Sequence, residues 1–221
     1  MTSTSLTAAT IAELIATSES AATAPPRGGG NQAWVRLFPE HDPPLIVKAP
    51  LPGLRYATTL WSLRREHRIY QRLTGVPGIP PCYGLYAGKW LVLGYIAGQP
   101  LRRYLLQPSP LSDQPCPAME GFRRTVAAMH RRGIAHADLK RRTNLILTAE
   151  QQIYVIDFGT AFLRPSERPP GPLWRWAAQQ DWNAWARHGW KHEAAMPPAV
   201  ARLHRRTAIE RIARGVRRLY R

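Results

Sequence analysis

Three features of the sequence point to an α+β protein built in two parts. Residues 33–96 set short apolar, β-rich runs around a single strongly periodic helix. Residues 118–132 and 174–188 carry apolar stripes at helical spacing instead. Between these helices lies IAHADLKRRTNLILTAEQQIYVIDFG, residues 134–159, where the apolar runs Leu145–Leu147 and Ile153–Ile156 flank a polar turn at Thr148–Gln152. Two such runs around a polar loop read as a hairpin, which is expected to set the carboxylates of Asp138 and Asp157 close in space.

From the N-terminus, Ile11, Leu14 and Ile15 mark a short helix at about 7–18, and Pro25-Pro26 a flexible link, so residues 1–27 stand apart. Gly28-Gly29-Gly30-Asn31-Gln32-Ala33-Trp34-Val35 opens the β-rich part, 28–98. Its glycines suit either a plain linker or a loop whose backbone N–H groups approach phosphate oxygens. Ala33–Phe38 and Leu45–Lys48 read as strands around Pro39–Pro44, and a lysine closing an apolar strand is either an edge gatekeeper or a functional group. Tyr56–Leu73 is a helix with Leu63, Glu66, Tyr70 and Leu73 at helical spacing. Glu66 is the lone acid among Arg64, Arg65, Arg68 and Arg72, and its place on the apolar side argues against a solvated surface carboxylate. Gly75–Pro81 is a turn, and Cys82–Tyr86 with Trp90–Ile96 forms a hairpin across Ala87-Gly88-Lys89.

In the helical part, 99–221, Leu101–Leu106 is a short helix and Gln107–Pro117 a Pro-rich connection. Ala118–Arg132 places Met119, Phe122, Val126 and Met129 on one stripe and stops at Gly133. Thr160–Leu173 is a Pro- and Arg-rich loop. Trp174–His188 is a helix with Trp174, Trp182 and Trp185 on an apolar face and Asp181 beside them. Ala199–Arg221 is a basic helix with Ile209, Ile212, Val216 and Leu219 on one face.

Composition narrows the class. With 44% apolar residues the chain can bury a real core. Cys82 and Cys116 lie far apart and match no metal or redox spacing, so a reducing compartment is expected. No apolar run is long enough to cross a bilayer, and no basic segment followed by an apolar one marks a secretory signal, which together suggest a cytoplasmic protein. Lys and Arg number 31 against 14 Asp and Glu, a net charge of +17. That balance suits polyanions such as nucleic acid, anionic lipid headgroups or phosphorylated glycans, and equally a solvated arginine-rich surface.

His136-Ala137-Asp138-Leu139-Lys140 with Asn144, followed by Asp157-Phe158-Gly159, resembles the H-R-D-L-K-x-x-N and D-F-G motifs of protein kinases. Upstream, Lys48 stands where that family's phosphate-binding lysine ends its strand, and Glu66 where the helix glutamate pairs with it. The resemblance covers roughly residues 28–160. It implies a two-lobed protein-kinase-like fold with a shortened C-terminal lobe, using ATP and Mg²⁺ or Mn²⁺. It assigns Asp138 to accept a proton from the acceptor hydroxyl, Lys140 and Lys48 to balance phosphate charge, and Asn144 and Asp157 to hold the metal. Gly28, Gly30, Ala33 and Val35 would belong to the loop over the phosphates, with Ala33 in place of its third glycine. Gly94 and Ile96 fall in the family's hinge, whose backbone reads the adenine edge, Gly94 replacing an acidic residue. His136 is expected to pack the loop rather than act as a base.

Two departures qualify the match. Asn144 follows Asp138 by six residues where the motif has five, with Arg141-Arg142-Thr143 between, so a one-residue lengthening must be absorbed as a bulge, while Thr143 at the usual offset is a poorer ligand for a hard cation. The A-P-E motif is missing, and the trimmed lobe resembles RIO-type kinases and bacterial lipopolysaccharide-core (heptose and Kdo) kinases. The resemblance thus implies a hydroxyl acceptor on a protein or a glycan. The alternative is a weak or dead pseudokinase serving as a nucleotide- or polyanion-binding module. The arginine-rich C-terminal helix either packs on the lobe or touches an anionic membrane at the inner face of the cell, and nucleic acid is the less favoured partner.

Overall fold

The computed structural model describes residues 6–21, 33–101, 118–164, 169–190 and 196–204. Gly28 and Gly30, the rest of the Leu101–Leu106 segment and its Pro-rich connection, and the basic segment after His204 lie outside the described residues. The chain divides into two compact units, Met1–Ala97 with Ile156–Gly159, and Gly98–Val155 with Thr160–Arg221.

The first unit is built on a four-stranded antiparallel sheet in the order β1-β2-β4-β3, from β1 (Trp34–Phe38), β2 (Leu45–Ala49), β3 (Cys82–Tyr86) and β4 (Trp90–Gly94). Successive strand side chains point to opposite faces, and this alternation sorts the residues of β2. Leu45 and Val47, with Val92 opposite Val47 on β4, join a core with Ile11 and Ile15 of helix α1 (Ala8–Ala21). Lys48 therefore points to the other face, where helix α2 (Tyr56–Arg72) lies. α2 buries Thr59, Leu63, Glu66, Ile69 and Tyr70 along one stripe. The short helix expected near the N-terminus is thus a docked element whose isoleucines cover one face of the sheet.

The second unit carries helices α3 (Met119–Arg131), α4 (Pro172–Gly189) and α5 (Pro198–Leu203). Met119, Phe122, Val126 and Met129 of α3 are all buried, as their spacing requires. Gly133 ends the helix with φ 75°, a left-handed conformation that costs glycine little. The hairpin forms as β7 (Leu145–Leu147) against β8 (Ile153–Val155), with Leu145 opposite Val155.

Three short strands differ from the sequence expectation. β5 (Gln99–Pro100) adds to β7, and β6 (Ile134–Ala135) pairs with β9 (Phe162–Leu163) inside the stretch read as a loop. A two-residue strand carries no periodicity of its own, and only its distant partner makes it a strand. Trp90–Ile96 is also strand only as far as Gly94, and Ala33 precedes β1. Among the described residues no helix is long and apolar enough to cross a membrane.

Ile11 is fully buried in the α1–sheet core. Ile11→Ala should cost about 2–5 kcal/mol, and at about 2–4 °C per kcal/mol for a chain of this size the loss is readable as a lowered thermal midpoint. An unchanged midpoint would show that α1 does not cover the sheet in solution.

Candidate active site

The sequence-predicted residues fall into two sets, one in each unit. In the first, Lys48 Nζ meets Glu66 Oε1 at 2.6 Å, and both side chains are largely buried. The pair follows from two periodicities: the strand turns Lys48 away from the α1 core, and the α2 stripe turns Glu66 toward it. Burial works against the Lys48 ammonium, but the Glu66 and Asp157 carboxylates outweigh it and hold its pKa above the ordinary lysine value. Val35 lies directly opposite Lys48 in the β1–β2 ladder, which puts both on the same face of the sheet.

The Asp157–Gly159 segment also belongs to this unit and rests on α2. The Phe158 ring meets Tyr70 edge-on at 5.1 Å, and Arg65 donates to the Gly159 carbonyl at 3.2 Å. Asp157 is exposed and takes a left-handed backbone, φ 64°, with the Gly159 N–H 3.4 Å from its Oδ1. A non-glycine residue keeps that conformation only when its surroundings fix it, and the buried Phe158 supplies such an anchor.

Gly94 has a structural reason to be glycine. A Cβ there would lie 2.5 Å from Pro81 Cγ, so no side chain fits, acidic or otherwise. Its N–H is already donated to the Pro81 carbonyl at 2.8 Å, and the Tyr95 N–H to Pro44 at 2.9 Å. Ile96 is half-buried just beyond.

In the second unit, the loop after β6 carries Asp138 and is hung from α4. Asp181 is fully buried, and its carboxylate accepts three N–H groups: Oδ2 from the His136 backbone at 2.7 Å and His130 Nε2 at 2.9 Å, Oδ1 from the Ala137 backbone at 2.8 Å. A buried carboxylate is tolerated only with such donors. The edges of Trp174 and Trp182 close around the His130 ring at 5.6 and 5.5 Å. His136 is itself buried, and the Asp138 N–H lies 3.3 Å from its Nδ1, in keeping with a packing role.

The extra residue in the loop is absorbed as a turn of 3-10 helix, Arg142–Asn144, in place of the expected bulge. That turn buries Asn144 and leaves Thr143 exposed. Asn144 Nδ2 donates to the Asp138 carbonyl at 3.1 Å and approaches Asp138 Oδ2 at 3.4 Å. Arg141 Nε reaches the same Oδ2 at 3.1 Å, and Lys140 is exposed.

Sequence reasoning singled out Asp181 only as an acid beside tryptophans, and it gave no role to His130 or His188. The available signal was an acid on the apolar face of a helix, which must find buried donors. Which donors they are depends on α3 and the loop meeting α4, a tertiary fact.

No protein-family model matches the chain. Over 144 residues it is 26% identical to the serine/threonine-protein kinase cds1 of Schizosaccharomyces pombe, a match covering 61% of this chain and 31% of that kinase. It is 28% identical over 144 residues to the mitosis inducer protein kinase cdr1 of the same organism, covering 63% of this chain and 23% of cdr1. The chain thus spans less than a third of the length of these curated relatives. Similarity at this level supports a likeness to the protein-kinase superfamily and nothing narrower.

Proposed function

We propose that the protein is an ATP- and metal-dependent phosphotransferase that moves the γ-phosphoryl group of ATP to a hydroxyl, on a protein serine or threonine or on a lipopolysaccharide-type glycan. The observation that carries this reading is the buried Lys48–Glu66 pair in the field of Asp157, which keeps an ammonium charged and fixed for phosphate oxygens.

In this reading the acceptor oxygen bonds to the γ-phosphorus while its proton passes to Asp138, and the bond from that phosphorus to the bridging oxygen breaks to leave ADP. Lys48 and Lys140 offset phosphate charge, and Glu66 orients Lys48. Gly94 and Ile96 would offer backbone C=O and N–H to the adenine edge, and Gly28, Gly30, Ala33 and Val35 would cover the phosphates.

In this reading Asn144 and Asp157 would each offer an oxygen to a divalent cation. Asn144 directs its Nδ2 at Asp138, which leaves its amide oxygen for a metal, and Asp157 supplies an exposed carboxylate. Among the described residues no three His, Cys, Asp or Glu side chains form a complete metal cage. Mg²⁺ takes one or two protein oxygens and fills the rest of its shell with phosphate and water. Such a cation would neutralise the phosphate oxygens.

A pseudokinase reading has one observation in its favour, the Arg141 guanidinium on Asp138 Oδ2. Arg141 is 70% exposed, however, and exposed pairs contribute little, so an incoming hydroxyl can displace it. The high positive charge leaves contact with an anionic membrane surface as part of the proposal for substrate docking, with cytoplasmic location as its setting.

Asp138→Ala should lower ATP turnover or autophosphorylation by about 10²–10⁴-fold while retaining ATP binding; equal turnover in variant and wild type would sink the assignment. Asn144→Ala should lose metal-dependent turnover far more than Thr143→Ala, and the reverse ranking would mean that the 3-10 turn does not present Asn144 to the metal.

A further inference from the structure

His188 sits near the end of α4, seven residues after Asp181 and so two turns further along the helix. It is 6% exposed, and its Nε2 lies 2.7 Å from the Leu139 carbonyl. A carbonyl oxygen only accepts, so Nε2 carries the proton and donates. The other ring nitrogen, Nδ1, is buried without a hydrogen-bond partner among the described residues. A histidine placed only to fill space leaves its donor unused; here the donor is aimed at the peptide that links Leu139 to Lys140.

Asp181 does not hold that peptide. Asp181 holds the N–H groups of His136 and Ala137, and Asn144 and Arg141 take the Asp138 carbonyl. Thr160 Oγ1 approaches the His136 carbonyl at 3.4 Å. Ala137 is in a left-handed conformation, φ 67°, which a residue with a Cβ keeps only under outside constraint. Leu139 is buried, so its carbonyl needs a donor inside the protein.

We propose that His188 is a positioning residue: its Nε2–H clamps the Leu139 carbonyl, and with Asp181 it fixes the loop from both sides of Asp138. The inference rests on the phosphotransferase reading for its catalytic meaning, while the clamp itself is a property of the fold. One α4 face thereby grips donors before Asp138 and an acceptor after it. Rotation of the Leu139–Lys140 peptide would redirect both the Asp138 carboxylate and the Lys140 ammonium.

Burial pushes the His188 pKa below its ordinary 6.5; the bond to Leu139 opposes this, and the nearby Arg142 and Arg187 guanidinium groups add to it. With a folded-state pKa below the unfolded one, the unfolded chain binds the extra proton. The stability that His188 contributes is therefore complete above 6.5 and is lost as pH falls through the folded value. Wild type should lose denaturant stability as pH falls below 6.5, and His188→Gln should lose less of it. His67, also lowered by partial burial, is present in both proteins, so the difference isolates His188. Equal acid sensitivity would overturn the buried neutral placement.

The deciding comparison uses the full chain with His188→Phe, which keeps a ring without the donor, and His188→Gln, whose amide N–H₂ can reach the same carbonyl. Turnover with Mg²⁺-ATP, ATP affinity and amide hydrogen exchange at residues 136–140 are measured on each. The expected result is a fall in kcat of about tenfold or more in His188→Phe, ATP affinity unchanged, faster exchange in the loop, and recovery to within about threefold in His188→Gln. Should His188→Phe not fold, His188→Met makes the same comparison through a flexible apolar side chain. Wild-type kcat and wild-type loop exchange in the donor-less variant would overturn the proposal, as would failure of His188→Gln to restore either. Absence of turnover in wild type would sink the phosphotransferase reading alone, because loop exchange still decides whether His188 holds the peptide.

Discussion

The loop that carries Asp138 depends on one buried charge. Asp181 has no exposed surface, and a carboxylate so placed costs several kcal/mol unless hydrogen-bonded donors surround it. Its three donors come from the His130 ring on α3 and two adjacent peptides of the loop. The requirement is mutual. The carboxylate is tolerable only if the loop and α3 arrive at fixed positions, and its bond to the Ala137 N–H is one of the constraints on that residue's left-handed backbone. The tryptophans of α4 complete this arrangement through their polar edges: Trp174 donates to the Gly133 carbonyl at 3.0 Å and Trp185 to Met119 at 2.9 Å.

In the first unit the governing constraint is simpler, the two-residue period of a strand. Val47 and Lys48 are neighbours in sequence and opposites in space: one is sealed under α1, the other meets Glu66 on α2. A one-residue register slip of β2 would exchange them, burying an ammonium among isoleucines. The same sheet therefore makes the hydrophobic core and the ion pair, and neither can shift without the other. α2 adds a second link by seating Phe158 against Tyr70, so the helix that fixes Lys48 also fixes the segment that bears Asp157.

Two differences from the kinase motifs, Gly94 and the shifted Asn144, have local physical causes. Gly94 is glycine because Pro81 fills the space a side chain would take. Asn144 lies one residue later than the motif has it because a 3-10 turn, at three residues per turn, takes up the added length and returns the amide to Asp138.

Elements whose periods are long enough to read are legible in the amino-acid order alone. The α2 and α3 stripes, the β1–β2 and β3–β4 pairs and the Leu145–Val155 hairpin all appear where apolar spacing puts them. The faces that Lys48 and Glu66 occupy are legible in the same way, each from its own element's period, while their pairing was implied by the motif resemblance. Packing between elements set the rest. β5, β6 and β9 are two residues long and exist through partners tens of residues away, so no local pattern announces them. The docking of α1 on the sheet, the donors around Asp181 and the grip of His188 on Leu139 depend on which faces meet, and a single helix or strand carries no record of its neighbour. Local periodicity fixes where a side chain points on its own element, while the identity of what it points at is set only when the elements pack.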